Sequence, residues 1–214
     1  ARLRKELGIT SSGGAGGSGN ITPRAARSVN PEATKLYSEG LEQLRNAQPQ
    51  AARELLERAV ALDPENPLAH SGLAAAWQSL GFGAKAAEEA KLAFERAREL
   101  PQEDRLAIEG RYRESIEDWP RAIEIYQALF RAYPDDLEIG LKLAAAQNAG
   151  GRAAEADGTI AALRALPSPA REDPRVDLAE AATAEALADF ARQQKAATRG
   201  ATEAAARGSK RLAA

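Results

Sequence analysis

Leu36-Tyr37-Ser38-Glu39-Gly40 is followed, 34 residues on, by His70-Ser71-Gly72-Leu73-Ala74, and the register between these two stretches decides the fold. The same shift sets Ala52 on Ala86, Leu56 on Ala90 and Ala59 on Ala93. A shift of 36 then carries Ala74 to Gly110, Ala86 to Ala122, Ala90 to Tyr126 and Ala93 to Leu129. A further 34 carries Gly110 to Ala144, Ala122 to Ala156, Tyr126 to Ile160 and Leu129 to Leu163. Self-similarity at a period of this size marks an array of supersecondary units, each burying its apolar face only against its neighbours.

Each unit reads as two helices. The first members are expected over Glu32–Arg45, Leu68–Leu80, Glu103–Ile116 and Leu137–Ala149, the second over Gln50–Leu62, Ala84–Glu99, Pro120–Ala132 and Ala153–Ala165. Breaks inside units fall at Asn46, Gly81, Asp118 and Gly150-Gly151. Those between units fall at Asp63-Pro64, Pro101, Pro134 and Pro167, where proline cannot continue a helix. Glycine inside a helix costs about 1 kcal/mol relative to alanine, so Gly40 and Gly110, late in their first helices, require a packing reason. A fifth unit opens at Asp173-Pro174, with Ala181 in the small position and Ala188-Asp189-Phe190 as its inner turn. Beyond Phe190 the sequence is alanine-rich and polar without a strong apolar stripe, and reads as a capping end.

Composition agrees. Fifty alanines stand against 18 β-branched residues in 214, which favours helix over strand. There is no cysteine and one histidine, which excludes a disulfide scaffold, thiolate catalysis and a metal site built on several imidazoles. No apolar run approaches the ~20 residues of a membrane span, so no membrane insertion is expected. The net charge of −2 hides a division: residues 1–30 carry +4, residues 191–214 carry +5, and the middle holds 18 basic against 29 acidic side chains. An acidic body argues against binding nucleic-acid phosphates, which requires lysine and arginine along the contact. Residues 1–8 read as the terminal helix of a preceding domain and residues 9–30, with Ser11-Ser12-Gly13-Gly14-Ala15-Gly16-Gly17-Ser18-Gly19, as a flexible linker. The chain opens without an initiator methionine, as a processed or excised piece would.

These repeats resemble the tetratricopeptide repeat (TPR) family. Leu36, Gly40, Ala52, Leu56, Ala59 and Pro64 match its pattern in unit one; Leu73, Ala74, Trp77, Gly81, Ala86 and Ala93 in unit two. Unit three matches at Leu106, Gly110, Ala122, Tyr126 and Pro134, and unit four at Leu143, Ala144, Gly151 and Ala156. Unit two departs from it, ending at Ala97–Leu100 without an Asp-Pro pair and carrying Ala90 at the usual aromatic position. The resemblance implies an all-α, right-handed α-solenoid of about five repeats over residues 31–200 (33–66, 67–102, 103–136, 137–173 and 174–200), with 201–214 a basic tail or cap. It also implies that first helices line a concave groove. Projecting the family pattern places Tyr37, Leu41, Ser71, Ala75, Gln78, Ala107, Arg111, Glu114, Leu141, Ala145 and Asn148 there. The family's carboxylate clamp for chaperone C-termini is absent, since Tyr37, Leu41, Ser71 and Ala75 do not supply its lysine and asparagine. The runs 36–41, 69–77 and 109–114 are further similar to the C-terminal TPR region of bacterial multi-domain serine/threonine kinases and winged-helix regulators; no kinase signature is present.

Chemistry-bearing residues read as structural. His70 follows Pro67 with no ligand partners at metal spacing, Trp77 falls at a family core position, Trp119 clamps the helices of unit three, and Asp135-Asp136 start a helix, where carboxylates satisfy free backbone N–H groups. No catalytic residue, cofactor or metal is expected, and the chain is read as non-enzymatic. The expectation is a module that binds a protein or peptide in the groove, as part of a bacterial signalling protein. The alternative is a structural scaffold that self-associates or spaces domains. The sequence leaves the compartment open between bacterial cytoplasm and, if membrane-anchored, periplasm.

Overall fold

A computed structural model describes residues 30–206 of the chain; the expected helix at 1–8, most of the linker and residues 207–214 lie outside the described residues. The described residues hold ten α-helices and no strand. They form five antiparallel pairs: α1 (Pro31–Arg45) with α2 (Pro49–Leu62), α3 (Pro67–Ser79) with α4 (Gly83–Arg96), α5 (Gln102–Ser115) with α6 (Trp119–Ala132), α7 (Leu137–Ala149) with α8 (Ala153–Arg164), and α9 (Pro174–Ala186) with α10 (Phe190–Ala206).

The two ends of each unit are punctuated differently. First helices begin on asparagine or aspartate caps: Asn30, Asn66, Asp136 and Asp173 each accept backbone N–H bonds from the first turn of α1, α3, α7 and α9, at 2.9–3.3 Å. Only α5, which follows Pro101, lacks such a cap among these five. Inner turns close instead through the backbone. Ala47, Gly81, Glu117, Gly151 and Ala188 all have positive φ, between 54° and 82°. The next residue's N–H then reaches back to a carbonyl five positions earlier, from Gln48, Phe82, Asp118, Arg152 and Asp189 at 2.7–3.0 Å. Five Schellman closures thus repeat in register, three of them without glycine.

Packing supplies the reason that Gly40 and Gly110 required. A Cβ on Gly40 would stand 2.6 Å from Leu56 Cγ, and one on Gly110 2.7 Å from Tyr126 Cε1. Each glycine admits a large residue from the second helix of its own unit, and Leu56 and Tyr126 are fully buried in return. Trp77 is buried as expected. Trp119 reaches further than a clamp within unit three: it packs on the cluster running from Ala122 to Leu143 and its Cβ lies where a Cβ on Gly150 of unit four would come within 3.1 Å.

Most boundaries lie within one residue of the sequence reading, and two differ by more. α4 ends at Arg96 and tightens into a 3-10 turn over Ala97–Glu99, because Leu100 precedes Pro101 and is driven to extended backbone. The last helix runs through Ala206 without a break at residue 200. Its buried stripe is Ala196, Gly200 and Ala204, four apart: small residues that let α10 lie close on α9 and do not register as an apolar stripe.

The concave face and its unsatisfied groups

Curvature follows from which helices touch. First helices contact one another across units, α1 with α3, α3 with α5 and α7 with α9, whereas the second helices do not to that extent. A stack closer on one side bends toward that side, so the first-helix layer is concave. Between α5 and α7 the backbones approach less, while Leu106 of α5 packs on the cluster that holds Leu143 and Ala146 of α7.

All eleven expected groove residues lie on α1, α3, α5 and α7, and none is buried. Their engagement differs. Tyr37 and Leu41 lean over Gly72 of α3, where an added Cβ would come within 3.4 and 3.6 Å of them. Burial drives the Tyr37 phenol up to about 12, with Arg111 opposing and Asp104 adding to the shift, which sets these two charges near its ring. Arg111 donates through Nε to Ser71 Oγ at 3.1 Å, joining units two and three. Glu114 turns inward to accept the Tyr126 hydroxyl at 2.9 Å, and Asn148 donates to Thr183 Oγ1 of unit five at 2.9 Å. Leu141 packs on the Ala144–Val176 cluster. Ala75, Gln78, Ala107 and Ala145 are half-buried or exposed and small or polar, leaving room along the layer.

Three polar groups on or beside this layer lack a partner that their burial calls for. Asp104 Oδ2 and Asn148 Oδ1 are buried acceptors with no donor among the described residues. Burial, and then the neighbouring Glu103, lift the Asp104 carboxyl to about 6. Lys142, half-buried on α7, makes no hydrogen bond or ion pair among the described residues; its ammonium lies 5.7 Å from the Tyr126 ring centroid. Burial is the main cause that brings it down to about 8, and the Arg111 charge adds to it. A buried acceptor without a donor costs about 1–3 kcal/mol.

The sequence reading omitted Asp104 and Lys142. Asp104 shares the stripe of Ala107 and Arg111, three and seven residues on, and that spacing was its signal. For Lys142 the signal was the repeat register, which places a lysine where units two and three bury Gly72 and Ile108.

His70 is structural, as expected: its Nδ1 meets Glu89 Oε2 at 2.6 Å and its Nε2 meets the Pro64 carbonyl at 2.7 Å. Both ring nitrogens therefore face acceptors. Burial opposes the charge, but these two partners outweigh it and raise the imidazole above its ordinary value. Among the described residues no group of three or more acidic or imidazole side chains could hold a metal ion, and no helix is long and apolar enough to cross a membrane.

No family model and no curated protein matches the chain. Solved structures do. A thermophilic TPR protein of Thermus thermophilus is 16% identical, with 84% of this chain and 95% of that one covered and a TM-score of 0.61. The nearly identical TPR-like repeats of a Podosopora anserina protein assigned as a kinesin light chain are 21% identical, with 84% and 99% covered and a TM-score of 0.50. With the capped first helices, the left-handed inner turns and the glycine-for-bulk exchange at Gly40 and Gly110, these similarities establish that the chain has the fold of a tetratricopeptide-repeat solenoid.

Proposed function

We propose that the chain is a non-enzymatic interaction module whose first-helix layer holds a segment of another protein. The observation that carries this reading is the first-helix layer itself, on which the eleven expected groove residues lie unburied, with the half-buried Lys142 among them. Tyr37 and Leu41, leaning over Gly72, offer a peptide an apolar footing at one end of the layer. Tyr37, Leu41, Ser71, Ala75, Gln78, Ala107, Arg111, Glu114, Leu141, Ala145 and Asn148 are the proposed groove, to which we add Asp104 and Lys142. The test is panning of a phage-displayed random dodecapeptide library on the full chain. A selected peptide is expected to lose binding to Tyr37→Ala/Leu41→Glu and to keep binding to Glu124→Arg, an exposed substitution on the second-helix layer. Equal binding to both variants refutes the groove.

A second reading, self-association, is favoured by Phe190 and Leu187, 68% and 41% exposed where the last unit turns. A dimer in sedimentation that Phe190→Ser abolishes would support it. The similarity of three sequence runs to bacterial signalling proteins supports a place beside a kinase or winged-helix domain, with residues 1–8 closing that domain and 9–30 tethering it. The reading frame upstream of Ala1 tests this.

A further inference from the structure

We propose that His70 is a proton-operated clasp on the joint between units one and two: as imidazolium it ties the Pro64 carbonyl of the linker to Glu89 of α4, and when it gives up a proton the linker comes free. His70 is the chain's single histidine and is buried on α3. Its ring has an acceptor at each end, Glu89 Oε2 at 2.6 Å from Nδ1 and the Pro64 carbonyl oxygen at 2.7 Å from Nε2. Both are hydrogen-bond distances, and only the imidazolium carries the two N–H groups that make them. A neutral ring keeps one N–H and turns a lone pair on the other acceptor. The bond to the carboxylate is charge-assisted and the stronger of the two, so the proton stays on Nδ1 and the Pro64 carbonyl is released.

The position is particular to this joint. In the repeat register His70 corresponds to Leu36, Leu106 and Gly140, which do not titrate, and to Asp177, which is held by Arg164 and Arg199. Around the ring, α4 contributes Glu89 and Arg96, whose charges act on it in opposite senses, and Arg96 pairs with Glu65 of the linker at 3.3 Å. Asp63 of the same linker accepts Asn66 Nδ2 at 3.4 Å. The first unit meets the neighbouring Ala69 through the apolar Leu36, Ala59 and Val60, and α5 brings Arg111 to Ser71. Because the Glu65 carboxylate is exposed and its ion pair weak, the buried tie between linker and α4 runs through His70. Across this joint Tyr37 and Leu41 of α1 lean over Gly72 of α3, so the proton on His70 governs how firmly unit one is seated on unit two.

The test is an NMR titration of the full chain, isotopically labelled at the histidine ring nitrogens, in which one residue gives every imidazole signal. Both ring nitrogens are expected to carry protons at low pH, with a midpoint above 6.5 that Glu89→Gln lowers. Above the midpoint the neutral ring is expected as the Nδ1–H tautomer. Hydrogen exchange then reads the joint. The Asn66 and His70 amides bond to the Asp63 and Asn66 carbonyls, and the Asp136 and Gly140 amides bond in the same way where units three and four join. The ratio of the first pair's exchange to the second's is expected to rise about fivefold through the midpoint, the size of one lost hydrogen bond, and to stay flat in His70→Leu. A neutral ring protonated on Nε2, or a midpoint at or below 6.5 or unmoved by Glu89→Gln, overturns the clasp. So does an exchange ratio that is flat in the wild-type chain or rises equally in His70→Leu.

Discussion

Asp177→Asn is expected to unlatch the last helix while leaving the rest of the solenoid intact. The Asp177 side chain is fully buried in α9, and its Oδ1 receives both Arg164 Nη2 of α8 and Arg199 Nε of α10. Glu180, one turn on, receives Arg164 at 2.8 Å, Arg199 at 2.7 Å and Arg192 at 3.0 Å, and Arg192 continues to Asp157 at 2.6 Å. Gly200 sits so close that an added Cβ would lie 2.9 Å from Asp177 Cβ. Breaking a buried ion pair from one side destabilises by about 3–5 kcal/mol. Here Arg164 and Arg199 are partly open to water and keep Glu180, so about 2 kcal/mol is the appropriate figure. That corresponds to roughly 30-fold in an opening equilibrium. Because α10 packs on α9 and each unit on its neighbours, the loss should stay local. Hydrogen exchange read by mass spectrometry is expected to show α10 amides exchanging about 30-fold faster, with α1–α6 unchanged. Equal acceleration throughout, or none at α10, would refute the latch.

Replacing Ala47, Glu117 or Ala188 by glycine should stabilise the chain by about 0.5–1 kcal/mol each, since a side chain disfavours the left-handed backbone they hold; the melting temperature should rise by a few degrees. His70 has its folded pKa raised, so its contribution is full below the ordinary value near 6.5 and is lost as pH rises through the folded value. Urea midpoints across that interval should fall more steeply for wild type than for His70→Gln, and parallel profiles would contradict the Glu89 pairing. Lys142→Met should raise the melting temperature at pH 7, because it removes a cation that folding disfavours. The gain should shrink between pH 8 and about 10.5, where the folded wild-type chain has given up the ammonium proton and the unfolded chain still holds it.

Most of the helical layout was legible because large and small residues recur in one register: Gly40 with Leu56 and Gly110 with Tyr126 are the same exchange written twice. What escaped the sequence escaped for physical reasons. Only two of the five inner turns carry glycine at the left-handed position, and Glu117 there looks like any surface residue. The end of α10 was hidden because Ala196, Gly200 and Ala204 bury backbone proximity more than side-chain area. Asp177 gave no signal, since its burial depends on arginines 13 residues before and 22 after it. The groove residues could be placed on their helices by register, but which of them turn inward could not. Glu114 and Asn148 face partners on other helices, and spacing along one helix carries no information about those.

The alternation of side-chain caps at unit starts, α5 excepted, with backbone closures at inner turns gives the units their own termini. A recombination event that joins Asn30 to the residues after Asn66 removes a whole unit, yet leaves a capped helix and complete turns on both sides. Heritable changes in the length of such an array are therefore quantised in steps of one unit, and the reach of its concave face lengthens or shortens by the same step.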